Sequence, residues 1–255
     1  MSASALAVLT VLMLITGAIG AITGGNSLIN VPIMITMGMS ARHAVATNMF
    51  AVLFMTVSAT ARFARAGLIK SQLLWPLGVI TALTSAFGAL IAVKLAEPLV
   101  KAVVGLCMGA LVLFMIVRKG ATAPPETLTN KRKLVGFAGA TLLGIYGGFF
   151  SGGYTTLMTV LCTAALGLSM MESVAITKPV NLVSCVAACA VFFAGGLIDL
   201  RIGVPLAIAN FGGGWLGAHA ALKKGDKFVR VLFLVSVAAL ALKLLLWDVL
   251  RPALK

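Results

Sequence analysis

Lys178 stands between Thr177 and Pro179, three positions before Asn181, inside a stretch that is otherwise apolar. A charged side chain inside a hydrophobic span costs roughly 2.5–3.5 kcal/mol on insertion scales, and such residues face substrate or ion pathways, or snorkel to headgroups. An ammonium in that place suits an anion. The nearest acid in sequence, Glu172, is off the i, i+4 spacing of a helical ion pair and is expected in the preceding loop. Two glycine pairs, Gly24-Gly25 and Gly152-Gly153, offer a second kind of anion chemistry. Each interrupts an apolar run, and each is followed by a short apolar run. A helix that begins after such a break points N–H groups and the positive end of its dipole at whatever lies beyond. Glycine, without a Cβ, lets a ligand approach the backbone.

Polar side chains cluster at equivalent places. Asn26 follows the first pair and Tyr154 the second, and either could bond a ligand oxygen; capping or packing explains them equally well. Thr47 and Asn48 open one later helix, and Thr177, Lys178 and Asn181 sit in its counterpart. His43 is the candidate for proton coupling, although a loop histidine beside Arg42 has a plainer reading. Asn210 reads as interhelical glue. No catalytic triad, HExxH or P-loop is present, so no enzymatic activity, cofactor or ATP motor is expected. Cys185 and Cys189 share a helix face but have no His or acidic neighbour; with Cys107 and Cys162 they read as small buried apolar residues, and no metal site is expected.

The elements that carry these residues must lie in a membrane. Hydrophobic residues make up 61% of the 255 and charged residues 10%, with a mean hydropathy of +1.11. Soluble domains carry about a quarter charged residues. The apolar runs exceed the roughly 20 residues a spanning helix needs, and the alternation of an outer-membrane barrel is absent. A net charge of +14 would suggest nucleic acid in a soluble protein. Here the basic residues fall between apolar segments, where they set topology and meet anionic lipid, so nucleic acid is not an expected partner. The first segment carries no basic residue ahead of its apolar run and reads as retained rather than as a cleaved signal.

The chain repeats itself. Gly38 and Ser40 match Gly167 and Ser169; Gly67-Leu68-Ile69 matches Gly196-Leu197-Ile198; Pro76 matches Pro205 and Gly88 matches Gly217. The spacing stays near 129 positions, as in transporters built by internal duplication. The predicted fold is an all-α polytopic membrane protein of two inverted repeats. Each has about five helical segments, the first two short and Gly-interrupted, giving 8–10 segments in total. Residues 1–117 form the first repeat, 118–133 a cytoplasmic linker with Pro124-Pro125, and 134–255 the second repeat. The linker side holds the denser set of Lys and Arg, among them Arg62, Arg65, Lys131, Arg132, Lys133, Lys223, Lys224 and Lys227. The other side keeps Arg42, Lys94, Lys101, Arg201, Arg251 and Lys255. The positive-inside rule therefore puts both termini outside and inverts the repeats.

The order Gly24-Gly25, Val31-Pro32, Gly38, Ala46-Thr47-Asn48, Ser58, Gly67-Leu68-Ile69, repeated from Gly152, resembles the TauE/SafE family of membrane permeases. The resemblance covers nearly the whole chain. It implies a transporter in the cell's inner membrane that moves sulfite, sulfonates such as sulfoacetate, or related sulfur-containing anions, with export as the expected direction. It carries the family's polar helix-start positions onto Thr47, Asn48, Thr177 and Lys178. The second half departs from the first by having Lys178 opposite Asn48 and Val160 opposite Pro32. The expected partners are a small anion and membrane lipid, with a second copy in a homodimer as a further option. An anion channel and a non-transporting assembly factor are the alternatives.

Overall fold

The computed structural model describes residues 3–69, 71–117 and 129–243, and within them the chain is all-helical. In order come α1 (Ala3–Thr23), α2 (Ser27–Thr36), α3 (Ala41–Arg65), α4 (Ser71–Lys94), α5 (Glu97–Val117), α6 (Asn130–Phe149), α7 (Tyr154–Leu166), α8 (Met170–Ala194) and α9 (Leu200–Lys243). Lys70, Arg251, Lys255 and most of the linker, with Arg118, Lys119 and Pro124-Pro125, lie outside the described residues. Inside α9 the chain turns at Gly225 (φ 77°, ψ −174°), so α9 is two helices joined by a kink.

Helices α1, α3, α4 and α8 are long and apolar enough to cross a membrane. At 1.5 Å per residue the 25 residues of α3 reach about 37 Å, beyond the roughly 30 Å hydrocarbon core. The outward faces carry large apolar side chains such as Trp75 (73% exposed), Leu83 and Leu142. Water-soluble monomers rarely expose so much; lipid covers it here. This is a membrane protein.

Only α2 (10 residues) and α7 (13 residues) are short. The sequence predicts two short segments per half, but α1 runs for 21 residues and α6 for 20. The glycine pairs fall at the ends of these helices rather than in their middles, so they end a full helix instead of splitting one. The chain then doubles back. Thr16 of α1 donates to Asn30 Oδ1 of α2 at 2.9 Å, and on the other hairpin Gly136 and Gly147 of α6 face Leu166 and Tyr154 of α7.

Glycines set the close packing between hairpins and partner helices. A Cβ on Gly213 of α9 would lie 2.4 Å from the Leu14 carbonyl oxygen of α1, and one on Gly148 of α6 would lie 2.5 Å from Ser85 Cα of α4. Small residues give helices this approach in lipid, where apolar burial alone drives little association. Thus α1 lies along α9 and α6 along α4, while α3 packs on α9 and on α8, and α8 on α4. The spanning windows of α3 and α8 are 67% buried, against 39% for α1 and α4, so α3 and α8 form the centre.

Backbone events recur at one offset of 129 positions. The left-handed glycines Gly24, Gly38 and Gly67 pair with Gly153, Gly167 and Gly196. Helices α3 and α8 have equal lengths and begin and end at that same offset. Their N-caps match too: Ser40 accepts from His43 N at 3.4 Å, and Ser169 from Glu172 N at 3.2 Å. Glu172 returns a bond from its carboxylate to Ser169 N, closing a capping box. It therefore belongs to the first turn of α8, not to a loop. The offset also shifts several sequence matches: Lys178 is level with Met49, Asn48 with Thr177, Pro32 with Leu161 rather than Val160, and Gly24 with Gly153.

Candidate functional site

The tips of the two hairpins meet. Helix α1 ends at Gly24, whose φ of +81° suits glycine, and α6 gives way to α7 through Gly153, at φ +76°. A Cβ on Gly24 would fall 2.6 Å from Thr156 N, so here the backbones themselves touch. Thr156 donates its hydroxyl to Thr23 O at 2.6 Å. Gly152 lies against Leu28, and its carbonyl accepts from the Tyr146 hydroxyl. The first turns of α2 and α7 thus face one another across the crossing, and two positive helix ends converge there.

Three polar side chains lock the crossing. The hydroxyls of Ser27 and Ser151 are 2.9 Å apart. Asn48 Nδ2 donates to Ser27 Oγ at 2.9 Å and reaches Ser151 Oγ at 3.4 Å. Ser27 and Asn48 are fully buried and Ser151 nearly so. Asn48 Oδ1 is buried without a protein partner, an acceptor left open at the crossing. An unsatisfied buried acceptor costs about 1–3 kcal/mol.

Lys178 comes in from α8. It is fully buried, and Nζ makes one long bond, to Gly20 O at 3.5 Å. An ammonium has three donors, so most of its hydrogen-bonding capacity remains open. Gly20 packs on Asn26, whose Nδ2 has only Met55 Sδ, at 3.5 Å. Asn26 is in helical conformation with no side-chain cap bond, so the capping reading of this residue does not hold.

Among the other residues singled out from sequence, Gly24, Gly25, Asn26, Asn48, Gly152, Gly153 and Lys178 gather at or beside the crossing, all buried. Tyr154 opens α7 with its ring against Gly147, and its buried hydroxyl lacks a partner of good geometry, with Thr81 and Ser184 nearby. Asn181 lies one turn beyond Lys178 and accepts from Cys185 Sγ at 3.5 Å. Three others make their contacts outside this network. Thr47 Oγ1 accepts from Asp199 N at 3.1 Å, holding the turn before α9. Thr177 bonds back to Val174 O within its own helix at 2.9 Å. His43 is exposed at the start of α3, with Nδ1 2.8 Å from Ser40 Oγ, well away from the crossing. Asn210 bridges to Met13 Sδ of α1 at 3.2 Å, which fits interhelical glue.

Sequence reasoning assigned no site role to Ser27, Ser151 or Gly20. The two serines adjoin Asn26 and Gly152, so a hydroxyl beside each glycine break was the available signal. Gly20 had none, because it contributes only its carbonyl.

Comparison with known proteins agrees with this architecture. Residues 9–244 match the family model described as Sulfite exporter TauE/SafE. The chain is 27% identical over 240 residues to a probable membrane transporter protein, ORF9, of Sinorhizobium sp, covering 94% of this chain and 92% of that one. It is 26% identical to a probable membrane transporter protein of Haemophilus influenzae, covering 90% of each. It is 24% identical to the probable membrane transporter protein YfcA of Escherichia coli K12, covering 94% of this chain and 89% of that one. No solved structure matches. The match to the family model runs through both glycine breaks and Lys178, and the protein, a membrane transporter rather than an enzyme, belongs to the sulfite exporter TauE/SafE family.

Proposed function

We propose that the protein exports a small sulfur-containing anion, sulfite or an organosulfonate such as sulfoacetate, by alternating access around the crossing of its two hairpin tips. The observation that carries this is Lys178: a buried lysine with one long carbonyl contact, beside two converging helix starts. A sulfur oxyanion offers acceptor oxygens to the ammonium and to helix-start N–H groups. Both kinds of interaction are charge-assisted and gain strength away from water. The crossing is closed by the Ser27–Ser151 contact, which favours a carrier over an open pore. The family description supports sulfite and export.

The two halves act in this reading as inverted repeats in the inner membrane, with the site near the midplane, the linker inside and both termini outside. The 129-position offset of the glycine turns and the reciprocal packing of α1 on α9 and α6 on α4 support the duplication. The excess of Lys and Arg toward the linker supports the orientation.

The test is ligand-dependent thermal stability in detergent with sulfite, sulfoacetate, taurine, sulfate and chloride, on wild type and Lys178→Ala. A ligand that binds only the folded state raises the melting temperature by mass action. Stabilisation of wild type by sulfite or sulfoacetate, absent in the variant, supports the assignment. Equal stabilisation of both proteins removes Lys178 from the site, and no stabilisation by any sulfur anion refutes the substrate class. Countertransport of labelled ligand in proteoliposomes then separates carrier from channel.

A further inference from the structure

We propose a second oxyanion-binding station, built from Arg62, Arg65 and Trp215, at the end of the helical bundle where α3 stops. Arg62 Cζ lies 4.6 Å and Arg65 Cζ 5.6 Å from the centroid of the Trp215 ring. One indole of α9 thus gathers two guanidinium groups from the last turns of α3. Arg62 Nη2 contacts His219 Nδ1, one turn on from Trp215, while Arg62 Nε is buried without a partner.

Among the described residues these charges have no carboxylate beside them. Among the described residues, Glu172 and Asp226 are the acids of this end, and both serve backbone groups at the start of α8: Glu172 accepts from Ser169 N at 2.9 Å and Asp226 from Met171 N at 2.8 Å. The ion pair found among the described residues, Arg42–Glu97, is at the opposite end of α3. Stacking on the indole holds the two guanidinium groups in place but leaves the two positive charges close together. An oxyanion between them supplies the missing counter-charge and takes the unused Nε–H. Arg presents that N–H in a planar fork that fits two oxygens of a sulfonate, sulfite or phosphate group.

The station is separate from the hairpin crossing but in line with it. Asn26 reaches Met55 of α3, and Gly214 packs against the Met55 carbonyl. Arg62 is seven residues further along the same face of α3, about 10 Å toward the end of the bundle. A small anion leaving or approaching the crossing on this side meets the two arginines. The same chemistry fits the phosphate of an anionic lipid headgroup, and the experiment separates the two sources.

Trp215 is its own reporter. Replacing Trp75 and Trp247 with Phe leaves it as the sole tryptophan. The protein is placed in phosphatidylcholine nanodiscs and titrated with sulfoacetate or inorganic phosphate at constant ionic strength; parallel discs contain phosphatidylglycerol. We expect a saturable change in Trp215 emission with the soluble anions. Arg62→Gln and Arg62→Lys should weaken it by about tenfold or more, since each removes the Nε–H and a charge-assisted bond. The Lys variant keeps the charge, so its loss of response is not a failure of topology. The response should survive Lys178→Ala, which separates this station from the crossing. A change driven by phosphatidylglycerol, resistant to soluble anion and lost in Arg62→Lys, assigns the same station to a headgroup. Emission indifferent to both sources, or a response that Arg62→Lys leaves intact, overturns the proposal.

Discussion

Ser27 and Ser151 are 124 positions apart in sequence and 2.9 Å apart through their hydroxyls. Asn48 bonds both serines, and the Thr156 hydroxyl adds a bond to Thr23 O at 2.6 Å across the same two breaks. The pair joins the two halves at the point where the chain leaves helical geometry twice.

Because Asn48 serves both serines, the two should not behave independently. Ser27→Ala and Ser151→Ala are each expected to destabilise by about 0.5–1 kcal/mol, the range for interhelical hydrogen bonds in membranes. The double variant should fall short of the sum by a few tenths of a kcal/mol. A double-mutant cycle on unfolding in mild detergent measures the coupling, and strict additivity would contradict the shared network.

Gly24 and Gly38 separate strain from collision. Both have left-handed φ, +81° and +94°. A Cβ on Gly24 meets Thr155 and Thr156, whereas one on Gly38 meets nothing within 4 Å. Gly38→Ala should cost about 1 kcal/mol, from strain alone. Gly24→Ala adds a backbone clash, so its melting temperature should drop further and ligand-dependent stabilisation should vanish. Equal melting temperatures for the two variants would mean the hairpin tips are not in contact.

Lys178→Met keeps the length of the side chain and removes the charge. Burying an ammonium is unfavourable by a few kcal/mol, so the variant is expected to fold and to melt at or above the wild-type temperature without ligand. It should lose the stabilisation by sulfur anions, trading function for stability. A Met variant that still responds to the anion would remove the lysine from the site.

Glu97 tests the opposite end of α3. It accepts from Ala41 N and, at 3.3 Å, from Arg42 N and the Arg42 guanidinium. Partial burial pushes its carboxyl up, but these backbone bonds and Arg42 outweigh that and hold it below its ordinary value of 4.5. A lowered folded-state value means the stabilisation is complete above about pH 4.5 and is lost as the pH falls through the folded value. Glu97→Gln should remove about 1 kcal/mol near neutral pH, as loss of a helix N-terminal acceptor does, and flatten the melting temperature below pH 4.5 relative to wild type. Parallel acid profiles for both proteins would contradict the link.

Orientation is open to direct labelling. His43→Cys and Lys133→Cys stand at exposed positions at opposite ends of the bundle. An impermeant maleimide applied to intact cells should modify the first and not the second, with Lys133→Cys reacting only after lysis. The reverse pattern would place the linker outside.

The sequence by itself determined that this chain lives in lipid, because 61% hydrophobic residues and 10% charged ones leave no water-soluble solution. It also carried the 129-position recurrence of the glycine turns, since glycine is the residue a left-handed turn requires and Gly38 and Gly67 recur as Gly167 and Gly196. Lys178 was legible for a similar reason: a charge among apolar residues is costly unless it has a task. Only the tertiary structure decided which polar residues share a site. Thr47 and Asn48 are neighbours in sequence, but successive helical residues point about 100° apart. One therefore holds the turn before α9, and the other joins Ser27 and Ser151 at the crossing. The meeting of Arg62 and Trp215 was equally invisible, because a contact across helices leaves no periodic trace in either segment.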